Sequence, residues 1–275
     1  MVAKTVSMER SEFSQLPTDP KILRSMFRSG ELDGFTSGMA PGRVQANLVI
    51  LPVKQAFDFL LFCQRNPKPC PLLEVVEPGS FAEPIRMAPG SDLRTDLPRY
   101  RVYEHGELVE EPTDINTFWQ EDMVSFLLGC SFTFESALVN AGISIPHYES
   151  GKNTAMFITS VETETAGVFS GPLVVSMRSI PKDKIVKAVQ ITSRYPSVHG
   201  APVHIGDPSA IGIKDVHKPD IGDVVKIEND DVPVFWACGV TPQAVAMSSK
   251  PPIMITHSPG HMFITDKLNE DVAAL

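Results

Sequence analysis

Within "QITSRYPSVHGAPVHIGDPSAIGI" four side chains able to bind or titrate, Arg194, His199, His204 and Asp207, fall among glycines and prolines rather than on an apolar face. Arginine grips a carboxylate through paired hydrogen bonds, and histidine has the unperturbed pKa nearest neutrality. One stretch therefore holds the means both to recognise an acid and to move a proton. Asp207, which precedes Pro208, also fits as the cap of a short helix. A second stretch, "GCSFTFESALVNAG", reads as a sharp turn entering a helix that Ser131 or Thr133 can cap and Gly142 ends. The unpaired amides of its first turn could face an anion. In one reading the helix end lowers the pKa of Cys130 and Glu135 works as an acid or base. In the other, Cys130 is a small buried hydrophobe and Glu135 complements the helix dipole.

A third stretch, "VPVFWACGVTPQAVAMSS", carries a strand through Cys238, turns at Gly239, and enters a helix with Thr241 as cap and Pro242 in first position. Such corners lie where open sheets bind ligands, so Gly239, Thr241 and Gln243 are candidate substrate contacts, although capping alone accounts for the same residues. Near the end of the chain, "ITHSPGHMFITD" sets His257 and His261 four apart, the spacing of a helical metal pair. Pro259 and Gly260 between them argue against a helix, and no third ligand accompanies them, so no metal is expected. A type II turn joining "PIMIT" and "MFITD" as a hairpin fits better. With two closing residues the histidines face opposite sides of the ribbon; with a three-residue loop they share one. Either way they suit a polar ligand or the local backbone.

The elements that must position these groups are many and short, because 24 prolines are spread along 275 residues without clustering. "TDPKILRSMFRSG" predicts a helix capped by Asp19, with Pro20 first inside and Gly30 just past the end. "KQAFDFLLFCQRN" and "DINTFWQEDMVSFLLG" predict two more, and another starts from Lys182. "NLVIL", "YRVYE", "TAMFITS", "LVVSMR", "DVVKIE" and "VPVFWAC" predict strands. Helices and strands alternate irregularly, which points to an α+β (mixed α/β) class with a mixed-sheet architecture, read as one domain over 1–275 whose two sub-lobes around a cleft would meet near residue 150.

Composition narrows the partners. At 43% hydrophobic content the chain can bury a large core, and a net charge of −9 with no basic run excludes an electrostatic footprint for nucleic acid or an anionic membrane. A small organic acid is the expected partner, with a homo-oligomer allowed, and arginines would have to overcome the overall negative field. Cys63, Cys70, Cys130 and Cys238 form no paired motif, no run of about 18 apolar residues occurs, and "MVAKTVSMERSEFSQL" lacks the apolar core of a signal peptide. A cytoplasmic protein is the expectation.

"APGRVQANLVILP", "LLFCQRNPKPCPLLEV", "SDLRTDLPRYRVY", "GCSFTFESAL", "VQITSRYPSVHGAPVHIGDP", "VFWACGVTPQAV" and "THSPGHMFITD" together resemble the hydro-lyase family of bacterial YcsI-type proteins and part of mitochondrial D-glutamate cyclase. The resemblance implies a lyase that eliminates water, working in glutamate metabolism, with D-glutamate closing to 5-oxo-D-proline as the reaction to test. That cyclisation needs an uncharged amine, a proton for the departing oxygen and a cationic grip on the remaining carboxylate, and no cofactor. The chemistry of the residues then assigns His199, His204, Glu135 and Cys130 to catalysis. It assigns Arg194, Arg178, Asp207, Gly239, Thr241, Gln243, His257 and His261 to substrate binding. Around Arg178, "SMRSIP" departs from the family pattern, which would place a proline directly after the arginine. Two other readings stand beside the lyase: a non-catalytic binder of 5-oxoproline or a related acid, and a hydrolase using Cys130.

Overall fold

The computed structural model describes residues 16–79, 81–150, 152–228 and 230–274; the N-terminal segment read against a signal peptide falls almost wholly outside them. Helix α1 (Pro20–Ser29) starts as its sequence dictates. The Asp19 carboxylate accepts from the Lys21 amide, Pro20 takes the first turn, and Gly30 closes the helix at φ 73°. Strand β1 (Arg43–Pro52) is buried along nearly its whole length and runs straight into α2 (Val53–Arg65). Strands β2 (Leu72–Val76), β3 (Tyr100–Glu104), β4 (Glu107–Glu110) and β5 (Met123–Gly129) follow. After them come α3 (Phe132–Asn140) and the short α4 (Pro146–Ser150).

The chain then builds a second sheet from β6 (Ala155–Glu162), β7 (Pro172–Pro181), β8 (His204–Ile205) and β9 (Asp231–Ala237), with α5 (Ile185–Ser193) between β7 and β8. It returns to the first sheet through α6 (Thr241–Ser249), β10 (Ile253–His257) and β11 (Phe263–Leu268). The larger sheet has the order β2-β5-β1-β10-β3-β4, with β11 also on β1; the smaller is β6-β7-β9-β8. The class is α+β, as expected, and the mixture lies in helices against sheets: the ladders themselves are antiparallel. No helix among the described residues is long and apolar enough to cross a membrane.

Three readings of the sequence are corrected. "DINTFWQEDMVSFLLG" is not a helix: its second half is β5, each residue of which is buried between β1 and β2. A strand covered on both faces loses its period of two and reads as a plain apolar run. "DVVKIE" lies outside any strand. The third correction bears on the site. Strands β10 and β11 do not form a hairpin; both lie antiparallel to the same neighbour, with Thr256 opposite Val49 and Phe263 opposite Ala46. They are one long strand broken by an excursion, Ser258–Met262, that leaves the sheet at the level of Asn47 and Leu48. The turn signal was real. It marks a bulge rather than a reversal of direction.

Candidate functional site

Two polar neighbourhoods flank that excursion, one closed and one open. The closed one is built on β7 and α3. Arg178 and Glu135 are each fully buried, and the Arg178 Nη2 and Nε donate to Glu135 Oε1 at 2.6 and 3.1 Å. Nη2 also donates to Ser131 Oγ (2.9 Å) and Nη1 to Ser176 Oγ (3.1 Å), while the guanidinium lies 5.3 Å from the ring centres of Phe134 and Trp236. On the other side of Glu135, His147 Nε2 donates to Oε1 at 2.6 Å and Ser37 Oγ to Oε2 at 3.2 Å. Burial alone would raise this carboxyl. The His147 and Arg178 beside it, through charge and hydrogen bonds, bring it down to about 2. Every nitrogen of Arg178 is spent inside the protein, which makes it an anchor for Glu135 rather than a ligand grip.

Cys130, Cys238 and His199 join this neighbourhood, each close enough to feel the Arg178 charge. Gly129 lies against the Ser197 carbonyl and Gly239 against the Asn47 side chain; a Cβ at either would sit 1.9 Å from its neighbour, so close packing requires both glycines. Asn47 in turn donates to the Gly129 carbonyl at 2.6 Å. The two helix entries and the loop before His199 therefore pack together. They do not converge on free amides. The first-turn amides of α3 bond back to Cys130 and Ser131, and those of α6 to Cys238 and Val240. Thr241 does not cap its helix; its hydroxyl donates to the Cys238 carbonyl and accepts from the Val174 amide. Burial pushes the Cys130 thiol far up and the Cys238 thiol to about 11, the reverse of what a reactive thiol needs.

Three other candidates lie elsewhere. Arg194 is exposed at the end of α5. Asp207 is exposed and caps the short turn Pro208–Ile211, accepting from the Ser209 amide and hydroxyl. His204 sits half-buried on the edge strand β8, its Nε2 donating to the Asp207 carbonyl at 2.6 Å. These three serve the local turn and the surface, because the Gly/Pro-rich loop that carries them runs along the rim of the smaller sheet.

The open neighbourhood is a pocket of about 270 Å³ between the end of β3, the excursion after β10, and the segments at Asn153 and Ile221–Asp223 that belong with the smaller sheet. Its charged wall is Arg99, Arg101, Glu111 and Asp223, and Phe35 and His261 close it. Arg101 Nε donates to Glu111 Oε1 at 2.8 Å and Ser258 Oγ donates to the same oxygen at 2.8 Å. Burial works against the Glu111 charge, but Arg101 and Ser258 hold the carboxyl below its ordinary range. Arg99 pairs with Asp33 through Nε and Nη2. Behind Arg101, Gln243 ties the wall together. Its Oε1 accepts from Tyr103 Oη (3.2 Å) and, at a long 3.4 Å, from Arg101 Nη1, while its Nε2 donates to the His257 carbonyl at 2.8 Å. Each arginine thus spends one edge on a carboxylate and keeps further donors on the other.

The two histidines of the excursion end up neither on one face of a helix nor on a hairpin. The His261 ring lies tilted against Phe35, centres 5.1 Å apart, and its Nδ1 donates to the Pro259 carbonyl at 3.1 Å, which leaves Nε2 with a lone pair. His257 Nδ1 lies 3.2 Å from the Leu48 amide nitrogen and 3.4 Å from the Leu48 carbonyl oxygen. Both Nε2 atoms are buried without a partner. Among the described residues no group of His, Cys, Asp and Glu has the arrangement of a metal site. The excursion is locked to the closed neighbourhood by three consecutive residues. Phe35 covers His261, Thr36 bonds the Gly260 carbonyl and the Met262 amide, and Ser37 reaches Glu135. Sequence reasoning missed Arg99, Arg101, Glu111 and His147; the two arginines are two apart in "LPRYRVY", one just before β3 and one within it, a spacing that the period of an extended chain makes readable.

These histidines give the fold a defined response to acid. Burial lowers His199 and His261 to about 4 and His257 to about 3, against an ordinary 6.5. Between those values the unfolded chain binds a proton at each and the folded chain does not, so stability falls as pH drops from 6.5 to about 4. Glu135, also lowered, acts in the same direction over a more acidic window: its contribution is full above 4.5 and is lost as pH falls through about 2. Urea midpoints are expected to decline from pH 6.5 downward, with His257→Asn flattening the slope. A midpoint that holds level between pH 6.5 and 5 would contradict the burial of these rings as neutral groups.

Residues 124–266 match the family model described as D-glutamate cyclase. The chain is 61% identical over 259 residues to a protein of Geobacillus kaustophilus described as a "Putative hydro-lyase", covering 94% of this chain and 98% of that one. It is 58% identical to a protein of the same description in Stutzerimonas stutzeri, covering 93% and 96%. To a protein of Bacillus subtilis described as "Putative hydro-lyase YcsI" it is 56% identical, covering 93% and 99%.

Proposed function

Because the chain belongs to the hydro-lyase family and itself matches the D-glutamate cyclase family model, we propose that the pocket at Arg99, Arg101 and His261 is its active site and that D-glutamate, closing to 5-oxo-D-proline, is its substrate. The observation that carries this reading is the pairing of two arginines with a neutral buried histidine around a space that suits a small acid and not a nucleotide. Arg99 and Arg101 take the two carboxylates, and Glu111 takes the ammonium. His261 Nε2 accepts a proton from that ammonium, freeing the lone pair that attacks the side-chain carboxyl. The second carboxylate, arriving beside the imidazole, strengthens its hold on the proton.

The C–N bond forms, a C–O bond breaks, and the two hydrogens that leave nitrogen depart with the oxygen as water. Substrate and product carry the same charge, so one shuttling group is restored at each turnover and no electron acceptor is needed. General acid–base help of this kind supplies about 10²–10⁴-fold, and holding amine and carboxyl in contact supplies more. Closing a five-membered ring asks the substrate to fold, which fits a compact pocket better than a groove. The same shuttle also serves the broader class, in which a hydroxy acid loses water across two carbons.

The test is to incubate purified protein with D-glutamate and follow 5-oxo-D-proline by chiral chromatography. His261→Asn is expected to lower kcat by at least about 100-fold with little change in melting temperature. Stabilisation by 5-oxoproline with no turnover of D-glutamate, L-glutamate or a panel of hydroxy acids from pH 6 to 9 would make the chain a binder instead.

A further inference from the structure

Helix α2 is apolar on two sides. Ala56, Phe59, Phe62 and Cys63 face the core, yet Val53, Phe57 and Leu60 on the adjoining flank are 49%, 73% and 38% exposed. An apolar arc that runs on past the buried stripe of a helix is normally covered as well. Beside that stripe runs β2, the outermost strand of the larger sheet, whose Leu72 and Val75 are 40% and 36% exposed. Between the two lies a depression of about 560 Å³ lined by Leu60, Leu61, Pro67, Cys70 and Leu72, with Phe57 standing at its lip.

The two ends of this sheet are treated differently. At the far edge, β4 reads "ELVE", with Glu107 and Glu110 exposed, and a second strand of the same sequence would be repelled. At the near edge, β2 reads "LLEVV", and its single charge is turned away: the Glu74 carboxylate is buried and accepts from the Arg86 and Met87 amides at 2.9 and 2.8 Å. That leaves an edge with no charge, no proline and a protruding aromatic next to a hole, all on one face.

We infer that this face is the contact between two copies of the chain, related by a two-fold axis, with Phe57 of each entering the depression of the other and the two β2 edges approaching antiparallel. A knob and a hole side by side on one surface complement each other only through such a rotation. The area fits. At the stated exposures the five side chains offer on the order of 400 Å² of apolar surface per copy, and a stable pair buries about 800 Å² per partner, a little over half of it non-polar. The pairing leaves the proposed active site open, because β2 and β3 lie toward opposite ends of the sheet order.

Sedimentation velocity over a hundredfold range of concentration tests this independently of any turnover. The protein is expected to run at twice the mass of the chain. Phe57→Asp, at an exposed position, is expected to weaken association at least about 30-fold while circular dichroism and melting of the monomer stay unchanged. Val75→Lys, which puts a charge on the open edge, should do the same. A monomer at the highest concentration overturns the inference, and so does a dimer that survives both substitutions.

Discussion

Arg178→Met is expected to cost about 3–5 kcal/mol of stability, the range seen when one partner is removed from a buried ion pair. The physical reason is what stays behind: Glu135, fully buried, would keep only His147 and a 3.2 Å hydroxyl from Ser37 to compensate its charge. A second expectation separates this from simple loss of packing. In Arg178→Met with Glu135→Leu the uncompensated charge is gone, and much of the loss should return, since well-packed apolar replacements of whole buried pairs are often neutral. Chemical denaturation of the two variants checks both numbers. If the double variant is weaker than the single, the pair stabilises the fold directly rather than by mutual neutralisation.

Arg101→Met should do the converse, leaving the fold nearly intact and removing activity. Its pair with Glu111 is part-exposed on both sides, so about 1 kcal/mol or less of stability rests on it. In the proposed reaction the same guanidinium faces a substrate carboxylate, and loss of one charge-assisted donor at a reacting centre typically costs about 10²–10³-fold. The effect is expected in kcat/KM for D-glutamate. Arg101→Lys should restore little, because a point charge does not reproduce the planar fork. A variant that keeps full turnover would remove the pocket from the mechanism. Equal losses in activity and melting temperature would instead give Arg101 a structural role.

Local signals with one physical cause were legible. Asp19, Pro20 and Gly30 bracket α1 to the residue, and the glycines at 129 and 239 mark places where the backbone is approached closely. What escaped were features decided by neighbours distant in sequence. Burial on both faces disguised β5 as a helix, and β1 alone determines that the chain passes through Ser258–Met262 without reversing. Charge was legible in kind but not in place. Arg194, in a loop full of polar signals, points to the surface, whereas Arg99 and Arg101, at the start of an ordinary strand signal, line the pocket. A loop's composition reports that it is exposed; only the fold reports what it is exposed to.

The position of β1 carries a cost during synthesis. Its ladder on one side is completed by β5, within the first half of the chain, but on the other side it waits for β10 and β11, which leave the ribosome after the whole of the smaller sheet. Until then the middle of the larger sheet is an open edge of ten residues, apolar apart from Arg43, Gln45 and Asn47, of the sort that pairs with other chains. The smaller sheet, made from one continuous run, has no such wait. A nascent chain stalled before Ile253 would therefore hold a finished smaller sheet beside an unfinished larger one, and chaperone capture should be strongest in that interval.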